Sequence, residues 1–186
     1  MKKNFNVVIH QAGQTVFTLK ELSVLLEESN FDNLKAAVHY YVKKNMISQV
    51  RRGVYAKDNY DPLELAIKIY PPAYIGFEFV LFKEGLVFQY DETITVASYL
   101  SREIRVGNYN LRYRKVKESI LTSPEGLEFR PHFTMAGKER AFLDILYLNR
   151  NFYVDYIGKL DRQKIFKILP IYENLNLEKR VRGIFK

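Results

Sequence analysis

Three stretches of this chain carry side chains whose types and spacing suit contact with a polyanion. Arg51-Arg52-Gly53 sets two guanidinium groups beside a glycine, between the short runs Met46–Val50 and Val54–Ala56. Upstream, Ser29–Asn45 has helical spacing: at about 100° per residue, Phe31, Leu34, Val38, Tyr41 and Val42 share one arc. The opposite side then presents Asn33, Ala36, Tyr40 and Lys43, flanked by Asp32, His39 and Lys44, with Lys35 at the boundary. Asparagine can read adenine, an alanine methyl can meet the thymine methyl, and lysines hold phosphates. Arg51 and Arg52 would reach phosphate or a narrow minor groove. The third stretch mixes Leu111, Tyr113 and Val116 with Arg112, Arg114, Lys115 and Lys117. That alternation implies a second basic face, read either as another nucleic-acid contact or, in preference, as a solvated strand.

The elements that must position these groups are marked locally. Phe5, Val8, Ile9 and Ala12 recur at helical spacing, with Gly13 as a stop. Thr18-Leu19-Lys20-Glu21 is a T-x-x-E capping box, and Phe17 and Leu22 are placed to staple its helix. The helix bearing Asn33 opens at Ser29-Asn30-Phe31-Asp32, an S-x-x-D variant of that cap. Two short strands around Arg51-Arg52-Gly53 follow, with glycine available for positive φ. Three short helices and then a β-hairpin is the order of a winged helix-turn-helix, in which the third helix enters the major groove and the hairpin touches backbone or minor groove. Such modules also dock proteins, and a charged outer helix face is often simply solvated.

Beyond Asp61-Pro62, a helix cap with proline at the first position, the chain predicts a helix over LELAIKIY and a buried helix over Tyr74–Phe82. It then predicts a strand over Thr93–Tyr99 and a pair of strands around Gly107-Asn108. A hairpin around Ser123–Gly126, a helix opening at Ala136, and helices over Asp161–Leu169 and Leu177–Phe185 complete the expectation. The predicted fold class is α+β: an N-terminal winged helix-turn-helix over residues 1–60, then a larger mixed α+β domain over 61–186.

Of 186 residues, 29 are Lys or Arg and 21 Asp or Glu, a formal charge of +8. Residues 1–60 hold nine basic and five acidic groups, residues 61–119 eight of each and residues 120–186 twelve and eight, so half of the surplus lies where the proposed contacts are and half at the other end of the chain. The absence of cysteine excludes disulfides, thiolate zinc sites and cysteine nucleophiles. His10, His39 and His132 lack ligand spacing, and no phosphate loop, G-x-G-x-x-G or G-x-S-x-G occurs. Apolar runs fall far short of the ~20 residues of a membrane span, and the start is too briefly apolar for a signal peptide. The expectation is a cytoplasmic, non-enzymatic protein without cofactor, metal or membrane. A nuclease-like carboxylate set would have to use Asp91 with Glu103-Ile104-Arg105, where arginine is a poor proton donor. Glu139 and Asp144 lie about 140° apart round one helix, so their carboxylates diverge, and Glu139 with Arg140 is expected to order the helix start.

Taken together, RRGVYA at Arg51–Ala56, PPAYIGFEFVLFKEGL at Pro71–Leu86, TITVASYLSREIRVGNYNLRYRKVK and Glu139-Arg140-Ala141-Phe142-Leu143-Asp144 resemble the AbiEi family of bacterial antitoxins, over roughly residues 15–150. Phe77, Phe79 and Phe82 stand where relatives often carry polar or small residues. The resemblance implies a winged helix that binds inverted repeats of double-stranded DNA in the promoter of its own operon and represses it; monomer and cooperative dimer on the DNA both stay open. It also implies a second domain that supports neutralisation of a nucleotidyltransferase-like toxin encoded next door, generally without a stable complex. The alternatives are a stand-alone winged-helix regulator, a metal-dependent nuclease-like protein and a protein-interaction module.

Overall fold

The computed structural model of the chain describes residues 5–88 and 92–185. It falls into two compact units, Met1–Ile69 and Tyr70–Lys186. Both helices and strands are well represented, an α+β architecture.

The first unit runs α1 (Phe5–Gln11), β1 (Val16–Thr18), α2 (Leu19–Leu26), α3 (Phe31–Lys43), β2 (Ser48–Arg51), β3 (Val54–Ala56) and α4 (Pro62–Ile69). Its core joins Phe5 and Ile9 of α1 to Phe17, Leu22, Leu34, Val38 and Ile47. The capping box forms as its spacing predicts: the Glu21 N–H donates to Thr18 Oγ1 at 3.2 Å, and the Thr18 N–H to Glu21 Oε2 at 2.7 Å. The cap of α3 is Asn30 rather than Ser29, its Oδ1 accepting from the N–H groups of Asp32 and Asn33. Phe31 is 47% exposed, not buried as its arc suggested, because core contact along α3 begins a turn later, at Leu34. Strand β1 carries no periodicity signal. It exists because β3 pairs with it, Val16 opposite Ala56 and Thr18 opposite Val54, giving an antiparallel sheet ordered β1-β3-β2.

The sequence placed the domain boundary at residue 60, but α4 belongs to the first unit. Glu64, 1% exposed, accepts from both the N–H and the hydroxyl of Thr15 at 2.7 Å. Its other oxygen lies 3.0 Å from Lys68 Nζ, which also meets Glu21 at 3.0 Å and donates to the Val16 carbonyl. These partners lie almost fifty residues away in the chain, so Asp61-Pro62 starts a helix without starting a domain. Burial pushes the Glu64 carboxyl up, but the Thr15 and Lys68 hydrogen bonds outweigh it and hold the group below its ordinary range. An unfolded glutamate titrates near ~4.3. The folded form therefore binds fewer protons below that pH. The stability this carboxylate contributes is complete above about pH 4.3 and is lost as pH falls through the depressed native value. Glu64→Gln should cost about 1.5–3 kcal/mol at neutral pH, the worth of hydrogen bonds to a charged group, and should flatten the acid limb. Urea midpoints of both proteins at pH 7 and pH 3.5 check this; parallel acid limbs would refute it.

The second unit contains β4 (Ala73–Ile75), α5 (Phe77–Lys83), β5 (Ile94–Ser98), β6 (Arg102–Val106), β7 (Tyr109–Lys115), α6 (Glu118–Thr122), β8 (Leu127–Phe129), β9 (Thr134–Ala136), α7 (Lys138–Leu148), α8 (Arg162–Ile168) and α9 (Leu175–Ile184). Six strands form one mixed sheet, ordered β6-β7-β5-β4-β9-β8, in which β5 runs parallel to β7 and β4 to β9. The run Tyr74–Phe82 is not one helix. It divides at Gly76 into β4 and α5, and Phe77 takes a left-handed φ of 57° at the junction. Thr95 of β5 clamps this turn, its hydroxyl donating to the Gly76 carbonyl at 2.6 Å and accepting from the Phe79 N–H at 3.1 Å. An almost wholly apolar run suits a buried strand as well as a buried helix, and only the neighbouring strand decides between them. Phe82, at the end of the run, is 42% exposed.

Three further expectations are corrected. Ser123–Gly126 is not a hairpin turn but the link from α6 to β8, and the β8–β9 hairpin turns at residues 130–133. Ala136 ends β9, so the following helix opens at Lys138. Arg140 does not order the start of α7. It is fully buried and faces inward.

Candidate nucleic-acid interface

Every side chain expected on the outer side of α3 is exposed: Asn33, Lys35, Ala36, His39, Tyr40, Lys43 and, at its C-cap, Lys44. Leu34 and Val38 on the other side are fully buried, so core packing fixes which face of the helix points outward. Tyr40, 54% exposed, stands edge-on to Tyr41 with ring centroids 5.3 Å apart. Tyr41 in turn stacks on Phe5 of α1, and Lys44 Nζ lies 5.8 Å from the Tyr40 ring centre. An aromatic column thus runs from the core to a cation at the surface. Charge along the helix is uneven. Asp32, its single acidic residue, pairs with Lys35 at 3.3 Å near the start, while His39, Lys43 and Lys44 occupy the far half.

The hairpin is short. Gln49 faces Tyr55 and Arg51 faces Val54, so Val50 is an extra residue that shifts the register. Arg52-Gly53 makes the turn, with Gly53 at φ 76°, a conformation glycine adopts without Cβ strain. The Gly53 carbonyl accepts from the Leu19 N–H at 3.1 Å, which ties the turn to the start of α2. Arg52 is exposed at the tip, whereas Arg51 ends β2 and is half-buried. The two arginines, equivalent in the sequence, therefore occupy different environments.

The second basic stretch is partly neutralised. Arg112 pairs with Glu103 and Arg114 with Glu78, each at 2.6 Å, and the Arg114 guanidinium lies 5.2 Å from the Phe77 ring centre. Lys115 and Lys117 are exposed. Glu103 is thus an ion-pair partner of Arg112, and Asp91, the other carboxylate of the nuclease-like set, lies outside the described residues. No cluster of three His, Asp or Glu side chains that could hold a metal ion occurs among the described residues. Set against protein-family models and against curated proteins, the chain matches none.

The most concentrated polar chemistry lies elsewhere and is closed to solvent. Arg140 Nε donates to Asp144 Oδ1 at 3.1 Å, Nη1 to the Glu125 carbonyl at 2.7 Å, and Nη2 to the Ile120 carbonyl at 2.6 Å and Tyr74 Oη at 3.0 Å. The Tyr74 and Tyr172 hydroxyls donate to the two oxygens of Asp144 at 2.8 and 2.6 Å. Burial opposes the charge on Arg140, yet the Asp144 carboxylate beside it holds its pKa above the ordinary arginine value; burial drives both tyrosines well above theirs. With no side chain of the four more than 1% exposed, the cluster has no access for a substrate and acts as an internal tie. Its sequence signal was the four-residue spacing of Arg140 and Asp144, which puts both on one side of a helix. Glu139 leaves the cluster and accepts from the Asp161 N–H, at the cap of α8, at 3.0 Å.

Proposed function

We propose that the first unit is a winged helix-turn-helix that binds duplex DNA, and that the chain is a transcriptional autorepressor and antitoxin. The observation that carries the DNA-binding half is the outer side of α3, where Asn33, Ala36, Tyr40 and Lys43 stand exposed together with Lys44 at the helix end. A helix about 10–12 Å across with its side chains fits a major groove of similar width. In a winged helix the hairpin touches backbone or minor groove, which would give the exposed Arg52 a phosphate to meet. No helix among the described residues is long and apolar enough to cross a membrane.

The antitoxin half rests on the resemblance to the AbiEi family carried by RRGVYA, the Pro71–Leu86 and Thr93–Lys117 segments, and the Glu139–Asp144 motif. In this reading the second unit supports neutralisation of a nucleotidyltransferase-like toxin of the same operon. Growth rescue on co-expression with the adjacent reading frame tests it, and a neighbouring gene without toxicity would favour the stand-alone regulator instead.

For the DNA-binding half, the full chain should retard its own upstream promoter fragment. The affinity should fall linearly as log salt rises. Arg52→Ala should flatten that slope by about 0.9, one phosphate contact, and weaken all sequences alike. A slope unchanged in Arg52→Ala would remove the hairpin from the interface, and no retardation even in dilute buffer would refute DNA binding.

A further inference from the structure

Asp32 lies in the first turn of α3, where a carboxylate suits the helix dipole, but on a phosphate-facing helix it also repels the backbone it approaches. Its side chain is 93% exposed, and its partner Lys35 is 60% exposed at 3.3 Å, an ion pair of the kind that contributes little to stability. The helix start is already capped by Asn30, which satisfies both the Asp32 and Asn33 N–H groups. Asp32 precedes Ala36 by four residues, so the two lie about 40° apart round the axis with Asp32 one turn nearer the N-terminus. In a helix-turn-helix the residues at that end of the helix meet base edges. An ionised carboxylate only accepts hydrogen bonds. In the major groove, guanine O6 and N7 and thymine O4 are acceptors and would repel it; adenine offers N6 beside the acceptor N7, and cytosine offers the N4 amine without an adjacent acceptor.

We infer that Asp32 is a specificity-determining residue whose carboxylate accepts from the N4 amine of a cytosine in the major groove, while Lys35 leaves it for a phosphate. This deepens the reading of α3 as the groove-binding helix and rests on it. The test is selection of duplexes from a randomised pool by the full chain and by D32A, D32N and K35A. Bound duplexes from the wild type should share a fixed C·G pair. D32A should lose discrimination at that pair by roughly tenfold or more while binding other duplexes more tightly. D32N, which preserves the shape of the side chain, should shift the preference towards adenine. K35A should keep the cytosine and flatten the salt dependence.

A wild-type pool without a fixed cytosine overturns the inference, and so do D32A and D32N pools identical to the wild type with uniformly tighter binding. In either case duplex binding itself still stands. A wild-type chain that captures no duplex overturns the DNA-binding reading and this inference with it.

Discussion

Arg140→Leu should cost the second unit about 3–5 kcal/mol, the penalty for breaking a buried ion pair and leaving one charge behind. That is a large share of the roughly 5–15 kcal/mol by which a folded protein exceeds its unfolded state. The reason is the number of separate elements that meet on one guanidinium. Arg140 of α7 holds the carbonyl of Ile120 in α6, the carbonyl of Glu125 before β8, the hydroxyl of Tyr74 in β4 and the carboxylate of Asp144 one turn along its own helix. Leucine fills part of the volume but supplies no donor. The Ile120 carbonyl and a carboxylate oxygen of Asp144 would then be left short of partners where water cannot reach them, and the Glu125 carbonyl would lose its tie. Asp144→Asn should cost less if the Tyr74 and Tyr172 hydroxyls keep an acceptor, although Arg140 loses its counter-charge. Urea unfolding followed by far-ultraviolet circular dichroism measures both, and the double variant closes a cycle in which the two effects should not add. A midpoint for Arg140→Leu within about 0.5 kcal/mol of the wild type, the range of an ordinary surface substitution, would mean the cluster does not hold the unit together.

On the proposed interface, the largest effect is expected from Lys43→Ala combined with Lys44→Ala. Each lysine that neutralises a phosphate releases condensed counterions. Losing both should flatten the log–log salt dependence by about 1.8 and lower affinity roughly 10–100-fold near 0.1 M salt. The two residues also sit at the C-terminal end of α3, where cations interact favourably with the helix dipole by about 0.3–1 kcal/mol each. A thermal melt therefore accompanies the binding measurement. Equal slopes in the wild type and the double variant would take the far half of α3 out of the interface.

How much of this was legible in the sequence depended on how far each residue's partner lay along the chain. The T-x-x-E box, the outward set on α3 and the strand pair around Gly107-Asn108 were all readable, because every partner lies within a few residues and helical or strand spacing decides who meets whom. The same spacing misplaced Phe31, since it identifies a side of the helix but not the point along it at which the core begins. It also left Arg51 and Arg52 equivalent, although pairing with β3 half-buries the first and leaves the second at the tip.

By itself, the sequence determined the capped start of α2, the outward face of α3, the charge surplus of the first sixty residues and the chemistries that lack of cysteine and of phosphate loops excludes. Only the tertiary structure decided that β1 is a strand, that α4 belongs to the first unit, that Tyr74–Phe82 breaks into strand and helix, and that Arg112 and Arg114 are paired. Thr15 meets Glu64 from 49 residues away and Arg140 meets Tyr74 from 66. Hydrogen bonds and ion pairs of that kind depend on which surfaces fold together, and local spacing holds no record of a partner so distant.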